Sequence, residues 1–543
     1  MNIVSEHYMT ARDGVKLYTT VQLPQAEGKF PTVIMRTPYD KLATDFEALA
    51  AEETCGYALV SQECRGTAKS EGECNAYLHE REDGLDLLEW VRKQPFYNGE
   101  IYLRGTSYRT SVHFAYLDTD PEDIKAAFLA VQDSERYNVC YRNGFFKTGL
   151  HGKWVFGMHR RNQHIERNFT IDTMRTMPLA GVTRAVFNEF VPYIEESFVH
   201  PDPADPYWES DEGGGYYRDV CNKCSMPILL VTSWYDIYTG GVFAMWRNLR
   251  PERRKRCALV VTPFDHAFDP LPEAVPEESR EFMADGSMRT IDPHWRYRWF
   301  DMFRGGRAWE FVEPGKISYY RLWDNKWITA DDVRNGETVE EWYLDPGRRL
   351  VPGPVAADGI TYTYNPYAPA KFEGGVCNNF GGMKYQDEPN SRYDIISFLS
   401  EPLEEERVCE GEIEIELHCR STAEDTCFYV RLDVVREGRA LPLRDDIDSL
   451  RRHVPDYRPG DECVIRYKLA PHAFKLRRGD VLRLDVSSSC APHFQVHTNY
   501  PGIQALQPVA RVCRNTVLTG RSRVRIFVRK EGGGTGAETG VLS

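Results

Sequence analysis

The chain has 543 residues, of which 42% are hydrophobic, 12% aromatic and 27% charged. This composition is typical of a globular protein, and the length exceeds what one hydrophobic core usually supports, so two or three domains are expected. The net charge of −14 disfavours a nucleic-acid partner, because phosphate binding normally shows as a basic surface.

The N-terminal segment MNIVSEHYMTARDG lacks the basic and apolar regions of a secretory signal. No stretch of the sequence reaches the roughly 20 apolar residues of a membrane span. The 14 cysteines are spread through predicted strands instead of being clustered in a small disulfide scaffold. These features predict a cytoplasmic protein with no membrane partner.

Short apolar runs alternate with helix-like segments in the first half of the chain. Residues 83–94, for example, place Leu85, Leu88 and Val91 at helical spacing. Such alternation predicts an α/β fold with a largely parallel sheet covered by helices on both faces. The predicted strands are 32–36, 57–61, 101–103, 126–131, 227–232 and 257–262.

The alternation stops between residues 134 and 223, where no convincing strand is found and aromatic residues are dense. This pattern predicts a mainly helical insertion that covers the sheet. Most of the aromatic side chains are expected to fill the core of the insertion itself, with one or two lining a pocket. They are Tyr137, Tyr141, Phe145, Phe146, Trp154 and Phe156.

Period-two alternation dominates from residue 316 onward, with glycine and proline between the alternating runs, and it predicts a C-terminal β-sandwich. The runs are 412–417, 428–434, 464–469, 481–486 and 524–528. The glycine-rich residues 531–543 are predicted to form a flexible tail. The predicted organisation is thus a core of residues 1–133 and 224–315, a helical cap insertion of 134–223, a sandwich of 316–530 and the tail.

A serine lies in the tight turn between a predicted strand and a predicted helix. In IYLRGTSYRTSVHFAYL, residues 101–117, this residue is Ser107. A strand-to-helix turn raises a serine Oγ above the sheet edge and directs helix N–H groups at a developing oxyanion. The general motif for such a nucleophile is G-x-S-x-G, and Arg109 stands where it has the second glycine. On this motif alone, a serine that only caps the helix is an equally good interpretation.

A nucleophilic serine needs a histidine base and a carboxylate that orients the histidine. Asp236 comes just after the predicted strand PILLVT, and His266 comes just after the predicted strand CALVVT. The carboxyl ends of parallel strands are where open α/β sheets gather functional groups. The chain order Ser107, Asp236, His266 therefore predicts a catalytic triad in an α/β-hydrolase core.

Ordered motifs over almost the whole chain resemble those of the cocaine esterase and X-Pro dipeptidyl-peptidase family, which includes α-amino-acid ester hydrolases. In the first 303 residues they are MTARDGVKLYTTVQLP, RTPYDK, GYALVSQECRGTAKSEG, EDGLDLLEWVRKQPFYNG, GTSY, SWYDI, PFDH and RWFDMF. Later, FLSEPL and KLRRGDVLRLDVSSSCAPHF resemble the C-terminal jelly roll of the family. The family pattern G-x-S-Y-x-G has a variable position at Arg109 and a second glycine at Thr110.

The resemblance implies an oxyanion hole formed by the hydroxyl of Tyr39 and the backbone N–H of Tyr108. It also implies acyl transfer through a covalent intermediate, with neither a metal nor an organic cofactor. The α-amino-acid ester hydrolases carry carboxylates two and three positions after the triad aspartate, where they bind a substrate ammonium group. Here those positions are Tyr238 and Thr239. An aromatic residue at position 238 suits an apolar acyl group and favours ester hydrolysis.

We therefore predict a serine hydrolase that cleaves a small-molecule carboxylic ester, with Tyr238 in substrate binding. An X-Pro dipeptidyl-peptidase or amidase with the same triad is the alternative within this chemistry. A non-catalytic binding protein with a degenerate hydrolase half is the alternative from another class, and Thr110 in place of a glycine is the feature in its favour. A homodimer is left open as the oligomeric state.

Overall fold

The structure of the chain is a computed structural model. It describes residues 3–25, 27–39, 54–162, 175–266, 295–306, 308–309, 311–324, 326–376, 382–530 and 537–539. The last two residues of the RTPYDK motif, and residues 531–536 and 540–543 of the predicted tail, lie outside the described residues.

The N-terminal part of the chain forms one half of a twisted sheet. Its strands are β1 (Ile3–Thr10), β2 (Lys16–Leu23), β3 (Phe30–Thr37), β4 (Ala58–Glu63), β5 (Tyr97–Thr106) and β6 (Ile124–Ala130). Two helices, α1 (Glu80–Arg92) and α2 (Tyr108–Phe114), follow β4 and β5. Leu88 and Val91 of α1 are buried, as their helical spacing predicts.

Short helices and turns make up the insertion that follows β6, which confirms its mainly helical character. They are α3 (Arg136–Cys140), a π-helical turn (Thr148–Gly152), α4 (Lys153–Asn162), α5 (Val182–Phe187), α6 (Pro192–Glu195) and 3₁₀ turns at Glu196–Phe198, Pro206–Glu209, Gly215–Tyr217 and Val220–Asn222. A two-residue hairpin, β7 (Tyr141–Arg142) and β8 (Phe145–Phe146), lies between α3 and the π-helical turn. Most of the predicted core aromatics are buried together here, whereas Trp154 is only partly buried.

After the insertion the chain returns to the first sheet. The elements are β9 (Ile228–Tyr235), α7 (Thr239–Asn248), α8 (Pro251–Arg254), β10 (Ala258–Asp265), α9 (Trp295–Met302), β11 (Ile317–Arg321) and β12 (Lys326–Ala330). The strand order is β1-β2-β4-β3-β5-β6-β9-β10-β11-β12, and neighbouring strands from β4 to β11 are parallel. The carboxyl ends of β5, β9 and β10 therefore lie at one edge of the sheet.

The first sheet extends further along the chain than the sequence pattern indicates. β11 pairs in parallel with β10, placing Ile317 opposite Leu259, and β12 pairs antiparallel with β11. Ile317 and Tyr319 are buried, and their pairing covers the hydrogen-bonding groups that β10 would otherwise leave at an edge. Residues 317–330 thus join the first sheet, although the predicted sandwich begins at residue 316.

A second sheet forms most of the C-terminal part and confirms the predicted strand-rich region. Its strands are β13 (Thr338–Leu344), β14 (Arg349–Pro352), β15 (Gly359–Tyr364), β16 (Ile396–Ser400), β17 (Arg407–Ser421), β18 (Cys427–Arg436), β19 (Arg439–Ser449), β20 (Cys463–Leu476), β21 (Val481–Ser487), β22 (Cys513–Leu518) and β23 (Arg523–Val528). One short helix, α10 (Leu450–His453), lies between β19 and β20. Within the predicted tail, β24 (Ala537–Thr539) pairs antiparallel with β12 of the first sheet.

The second sheet contacts the first one next to the end of β9. Arg444 of β19 donates hydrogen bonds to the carbonyl oxygen of Trp234 and, at 2.8 Å, to that of Pro471. Tyr235 donates its hydroxyl to the carbonyl oxygen of Pro442 at 3.0 Å. Trp234 and Tyr235 are the last residues of β9, so residues of β19 hold this strand where it ends. In the described part of the chain, no helix is long and apolar enough to cross a membrane.

Candidate active site

Ser107 lies in the turn between β5 and α2, as predicted. Its backbone angles are φ 58° and ψ −131°, a left-handed region that non-glycine residues rarely occupy. Its N–H donates to the carbonyl oxygen of Ala130 on β6 at 2.9 Å, and its own carbonyl oxygen accepts from the N–H of Thr110 at 2.7 Å. The neighbouring strand and the first turn of α2 therefore hold Ser107 in a strained conformation, as is common for functional residues.

Gly105 is required for the close approach of α2 to β5. A Cβ atom at this position would lie 2.5 Å from the carbonyl oxygen of Arg109 and 2.6 Å from the Cα of Thr110. Both are backbone atoms, so a side chain at residue 105 would displace the helix that begins just after the serine.

The structure brings His266 and Asp236 together with Ser107. The Oγ of Ser107 is 2.9 Å from the Nε2 of His266, and the Nδ1 of His266 is 2.7 Å from the Oδ1 of Asp236. The second carboxylate oxygen of Asp236, Oδ2, accepts from the hydroxyl of Thr232 at 2.9 Å. Asp236 is fully buried and His266 is 8% exposed, so both of these hydrogen bonds are largely shielded from water.

Tyr108 is the first residue of α2, and its backbone N–H therefore has no acceptor within the helix. Its phenol is fixed by two hydrogen bonds. The hydroxyl donates to Glu80 at 2.7 Å and accepts from the N–H of Tyr77 at 2.8 Å. Burial, together with the charge of Glu80, raises the pKa of Tyr108 well above its ordinary value, so the phenol remains protonated. Glu80 also forms an ion pair of 2.6 Å with the buried Arg36.

Tyr39 lies next to the elbow, at the end of β3. The hydroxyl of Thr37 accepts both the N–H of Tyr39, at 3.2 Å, and the Nε of Arg109, at 3.3 Å. The guanidinium of Arg109 is 5.4 Å from the centre of the Tyr39 ring. Trp154, at the start of α4, donates its indole N–H to the hydroxyl oxygen of Tyr39 at 3.1 Å. Tyr39 is thereby placed between the elbow and the helical insertion.

Tyr238 lies against the histidine. The centroids of the Tyr238 and His266 rings are 5.5 Å apart, in an edge-to-face arrangement. Burial raises the pKa of Tyr238 well above its ordinary value. The adjacent Thr239 donates its hydroxyl to the carbonyl oxygens of Ser233 and Asp236, both at 2.6 Å. Position 239 therefore fixes the loop that carries Asp236.

Two family models match the chain in sequence. A model described as X-Pro dipeptidyl-peptidase (S15 family) matches residues 13–268. A model described as the X-Pro dipeptidyl-peptidase C-terminal non-catalytic domain matches residues 293–525. The chain belongs to the cocaine esterase and X-Pro dipeptidyl-peptidase family. Membership confirms the prediction of a serine hydrolase with an α/β-hydrolase-type catalytic part and a strand-rich C-terminal part.

Individual proteins match the chain over nearly their full length. The chain is 23% identical to the cocaine esterase of Rhodococcus sp. (strain MB1 Bresler) over 560 residues, covering 94% of this chain and 95% of that protein. A solved α-amino acid ester hydrolase matches with a TM-score of 0.79 at 19% identity, over 97% of each chain. An aminopeptidase from the marine sediment archaeon Thaumarchaeota archaeon matches with a TM-score of 0.79 at 17% identity, over 97% of each chain. At such identities the two structural matches establish a shared fold.

Thr110, where the family pattern has a glycine, is accommodated by hydrogen bonds. Its side chain is buried, and its hydroxyl donates to the carbonyl oxygen of Ala130 at 3.0 Å. The same hydroxyl accepts from the N–H of Ala130 at 3.1 Å. The threonine thus ties the first turn of α2 to β6, where the N–H of Ser107 is also bonded, and the elbow is complete without the family glycine.

Replacement of Thr110 with valine is expected to destabilise the protein by about 1–3 kcal/mol, because both peptide groups of Ala130 would lose a buried partner. Urea unfolding of the two proteins measures this change. Thr110→Ser keeps the hydroxyl and serves as the control, with a smaller loss of stability. Equal stability of Thr110→Val and the native protein would show that these hydrogen bonds do not support the elbow.

Several residues around the site carry no signal in the sequence. Trp154 belongs to the dense aromatics of the insertion, and nothing in its spacing distinguishes the indole that contacts Tyr39 from the aromatics that fill the core. Tyr77 has a positive φ of 75°, which the residue type does not indicate. In the sequence, Glu80 has the pattern of an ordinary acidic residue in the first turn of a helix. Only the three-dimensional fold shows that Trp154, Tyr77 and Glu80 lie near the elbow.

Proposed function

We propose that this chain cleaves a carboxylic ester through a covalent acyl-enzyme, with Ser107 as nucleophile, His266 as general base and Asp236 as the group that orients the histidine. The observation that carries the proposal is the continuous hydrogen-bonded chain of 2.9 Å from Ser107 to His266 and 2.7 Å from His266 to Asp236. Such a chain is the arrangement that activates a serine hydroxyl.

The reaction follows from these contacts. The Oγ of Ser107 attacks the ester carbonyl carbon while the Nε2 of His266 accepts its proton, and Asp236 stabilises the imidazolium that forms. The protonated His266 then gives this proton to the departing alcohol, which leaves an acyl group on Ser107. In the second half, water attacks the acyl carbon while His266 again accepts a proton; His266 then returns this proton to the Oγ of Ser107 as the acyl–oxygen bond breaks and the acid is released.

The proposed oxyanion hole consists of the backbone N–H of Tyr108 and the hydroxyl of Tyr39. The role of the N–H is supported by its position at the start of α2, where backbone N–H groups have no acceptor within the helix. The hydroxyl is supported by the contacts of Tyr39 with Thr37, Arg109 and Trp154, which hold the ring beside the elbow. A preorganised donor stabilises the charge on the carbonyl oxygen most strongly in the transition state.

Ester hydrolysis is favoured over cleavage of an Xaa-Pro bond by the loop after Asp236. Tyr238 and Thr239 bring no carboxylate to the positions that would bind a substrate ammonium group, and the hydroxyl of Thr239 is bonded to backbone carbonyls. The cocaine esterase of Rhodococcus, which the chain matches over most of its length, is an esterase by name. An X-Pro dipeptidyl-peptidase or amidase is the second candidate, supported by the description of the matched family model.

Labelling with a fluorophosphonate probe, combined with a substrate panel, tests the proposal. We expect labelling of the native protein, no labelling of Ser107→Ala, and faster turnover of p-nitrophenyl esters than of Gly-Pro and Ala-Pro amides. Labelling of neither protein, or equal labelling of both, would favour a non-catalytic binding protein. Faster turnover of the prolyl amides would favour the peptidase.

Tyr39→Phe is expected to lower kcat by about 10²–10³-fold, because one oxyanion donor is lost. Turnover of p-nitrophenyl butyrate measures the effect, and the thermal midpoint of unfolding should stay close to that of the native protein. Trp154→Phe is the matched control, since it removes the indole N–H that contacts Tyr39 and leaves the phenol in place. Unchanged turnover in Tyr39→Phe would exclude Tyr39 from the oxyanion hole.

The remaining proposals concern the surroundings of the protein. We propose a small-molecule ester as its partner, since the net charge disfavours nucleic acid. We propose the cytoplasm as its location, on the distribution of cysteines in the sequence. We also propose that the C-terminal sheet is the jelly roll of the family, in keeping with its long antiparallel strands.

A further inference from the structure

A cavity of about 370 Å³ lies next to the candidate active site. Its wall includes Tyr77, Arg136, His151, Tyr193 and Tyr207, which come from the loop before α1 and from the helical insertion. Its volume falls in the range of cavities that bind small molecules.

Two aromatic side chains connect this cavity with the catalytic groups. The ring of Tyr77 is 4.7 Å from the ring of Tyr108, the residue next to the nucleophile. The ring of Tyr238 is 5.5 Å from that of His266, and both Tyr77 and Arg136 lie close enough to Tyr238 to affect its pKa. Arg136, which lies on the Tyr77 ring, is therefore one aromatic side chain away from Tyr108 and the neighbouring nucleophile.

Arg136 is a partly buried residue whose guanidinium has no carboxylate partner among the described residues. Its Nε and Nη1 are buried and make no hydrogen bond, and among the residues that the structure describes no carboxylate oxygen forms an ion pair with it. The groups that face its guanidinium are the thiol of Cys140 and the phenols of Tyr77, Tyr207 and Tyr217. Burial of a charge without an anion is costly, so an arginine in this state is well suited to bind an anionic ligand group.

The surrounding residues hold the guanidinium in place. It lies 3.4 Å from the centre of the Tyr77 ring, in cation–π contact. Tyr77 is itself fixed by the hydrogen bond from its N–H to Tyr108. A Cβ atom at Gly214 would lie 2.5 Å from the Cγ of Arg136, so the glycine loop packs directly on the arginine side chain. The guanidinium is thus preorganised before a ligand arrives.

We propose that Arg136 is a specificity residue that binds a carboxylate of the substrate, so that the preferred ester carries a second, anionic group away from the bond that is cleaved. This inference rests on the proposed function. Glu196 and Glu212 also line the cavity, but both are exposed to solvent, and Glu196 lies 3.2 Å from the ring of His200. Water screens such exposed charges, whereas the buried guanidinium acts at short range.

Matched pairs of esters test the proposal in two arms, because the carboxylate can belong to the acyl group or to the alcohol. In the acyl arm, monobenzyl glutarate is compared with benzyl 5-methylhexanoate, which replaces the carboxylate by an isopropyl group. In the alcohol arm, the butyrate ester of 4-(hydroxymethyl)benzoate is compared with that of 4-isopropylbenzyl alcohol. We expect kcat/KM for the anionic ester to exceed that of its neutral partner by about 10–100-fold in one arm.

Variants of Arg136 separate specificity from structural support. Arg136→Met should abolish the preference for the anionic ester and leave kcat/KM for its neutral partner nearly unchanged. Arg136→Lys should keep part of the preference, because it retains the charge without the planar fork of the guanidinium. Arg218→Met is the control, since Arg218 belongs to the same insertion and pairs with Glu135 and Glu209 at 3.2 Å.

Two results would overturn the inference while the proposed function stands. They are equal kcat/KM for the native protein within both ester pairs, and an equal loss for anionic and neutral esters in Arg136→Met. If instead no ester is hydrolysed and Ser107 is not labelled by a fluorophosphonate, the proposed function itself fails, and the inference with it.

Discussion

Replacing Ser107 with alanine is expected to lower kcat for an ester substrate by about 10⁴–10⁶-fold, the range seen when the nucleophile of a serine hydrolase is removed. His266→Ala should cause a loss of similar size, because the hydroxyl 2.9 Å away would lack a base. The double variant should be no slower than the single variants, since the two residues act in one step. Steady-state kinetics with p-nitrophenyl butyrate measure all three.

The fold of these variants must be intact for the comparison to hold. Serine and alanine both carry a Cβ atom, so the strain at a φ of 58° is similar in both. Ser107→Ala is therefore expected to unfold at a temperature close to that of the native protein. A double variant whose loss equals the product of the two single losses would show that Ser107 and His266 act independently, contrary to the proposal.

Asp236→Asn is expected to lower kcat by about 10⁴-fold at neutral pH, because an amide holds the histidine in the wrong tautomer and cannot stabilise the imidazolium. The buried Oδ1 of Asp236 lies 2.7 Å from the Nδ1 of His266, so this change acts directly on the base. Thr232→Val is the matched control. It removes only the 2.9 Å hydrogen bond to Oδ2, and a much smaller loss of kcat is expected.

The KM of Asp236→Asn gives a second readout. Substrate binding should change little, since Asp236 is fully buried behind the histidine. A variant in which KM rises and kcat is unchanged would place Asp236 in substrate binding and remove it from the triad.

The chemistry of the site was predictable because it depends on parallel strands. Asp236 and His266 each follow an apolar run, and β9 and β10 end at the same edge of the sheet as β5, so chain order was enough to group the residues around Ser107. The hydroxyl of Thr110 could not be assigned in this way. Its bonds to Ala130 depend on how closely α2 approaches β6, which only the three-dimensional structure gives.

The fold was least predictable where local pattern and tertiary pairing disagree. The sequence pattern of β11 and β12 is that of the strands that follow them. Nevertheless, β11 pairs with β10, and β12 pairs with β11. Arg136 is a further example, because its sequence neighbours do not indicate that it packs against the Tyr77 ring and the loop of Gly214. Contacts between distant segments determine both features.

The hydrogen bonds from Arg444 and Tyr235 join the C-terminal sheet to the end of the strand that precedes Asp236. Arg444 binds the carbonyl oxygen of Trp234, two residues before Asp236, and Tyr235 is anchored on Pro442. The part of the chain matched by a model described as non-catalytic therefore contacts the two residues that precede Asp236, the proposed triad carboxylate. A hydrolase half expressed without its C-terminal partner would keep every proposed catalytic residue and still lack the support that aligns them.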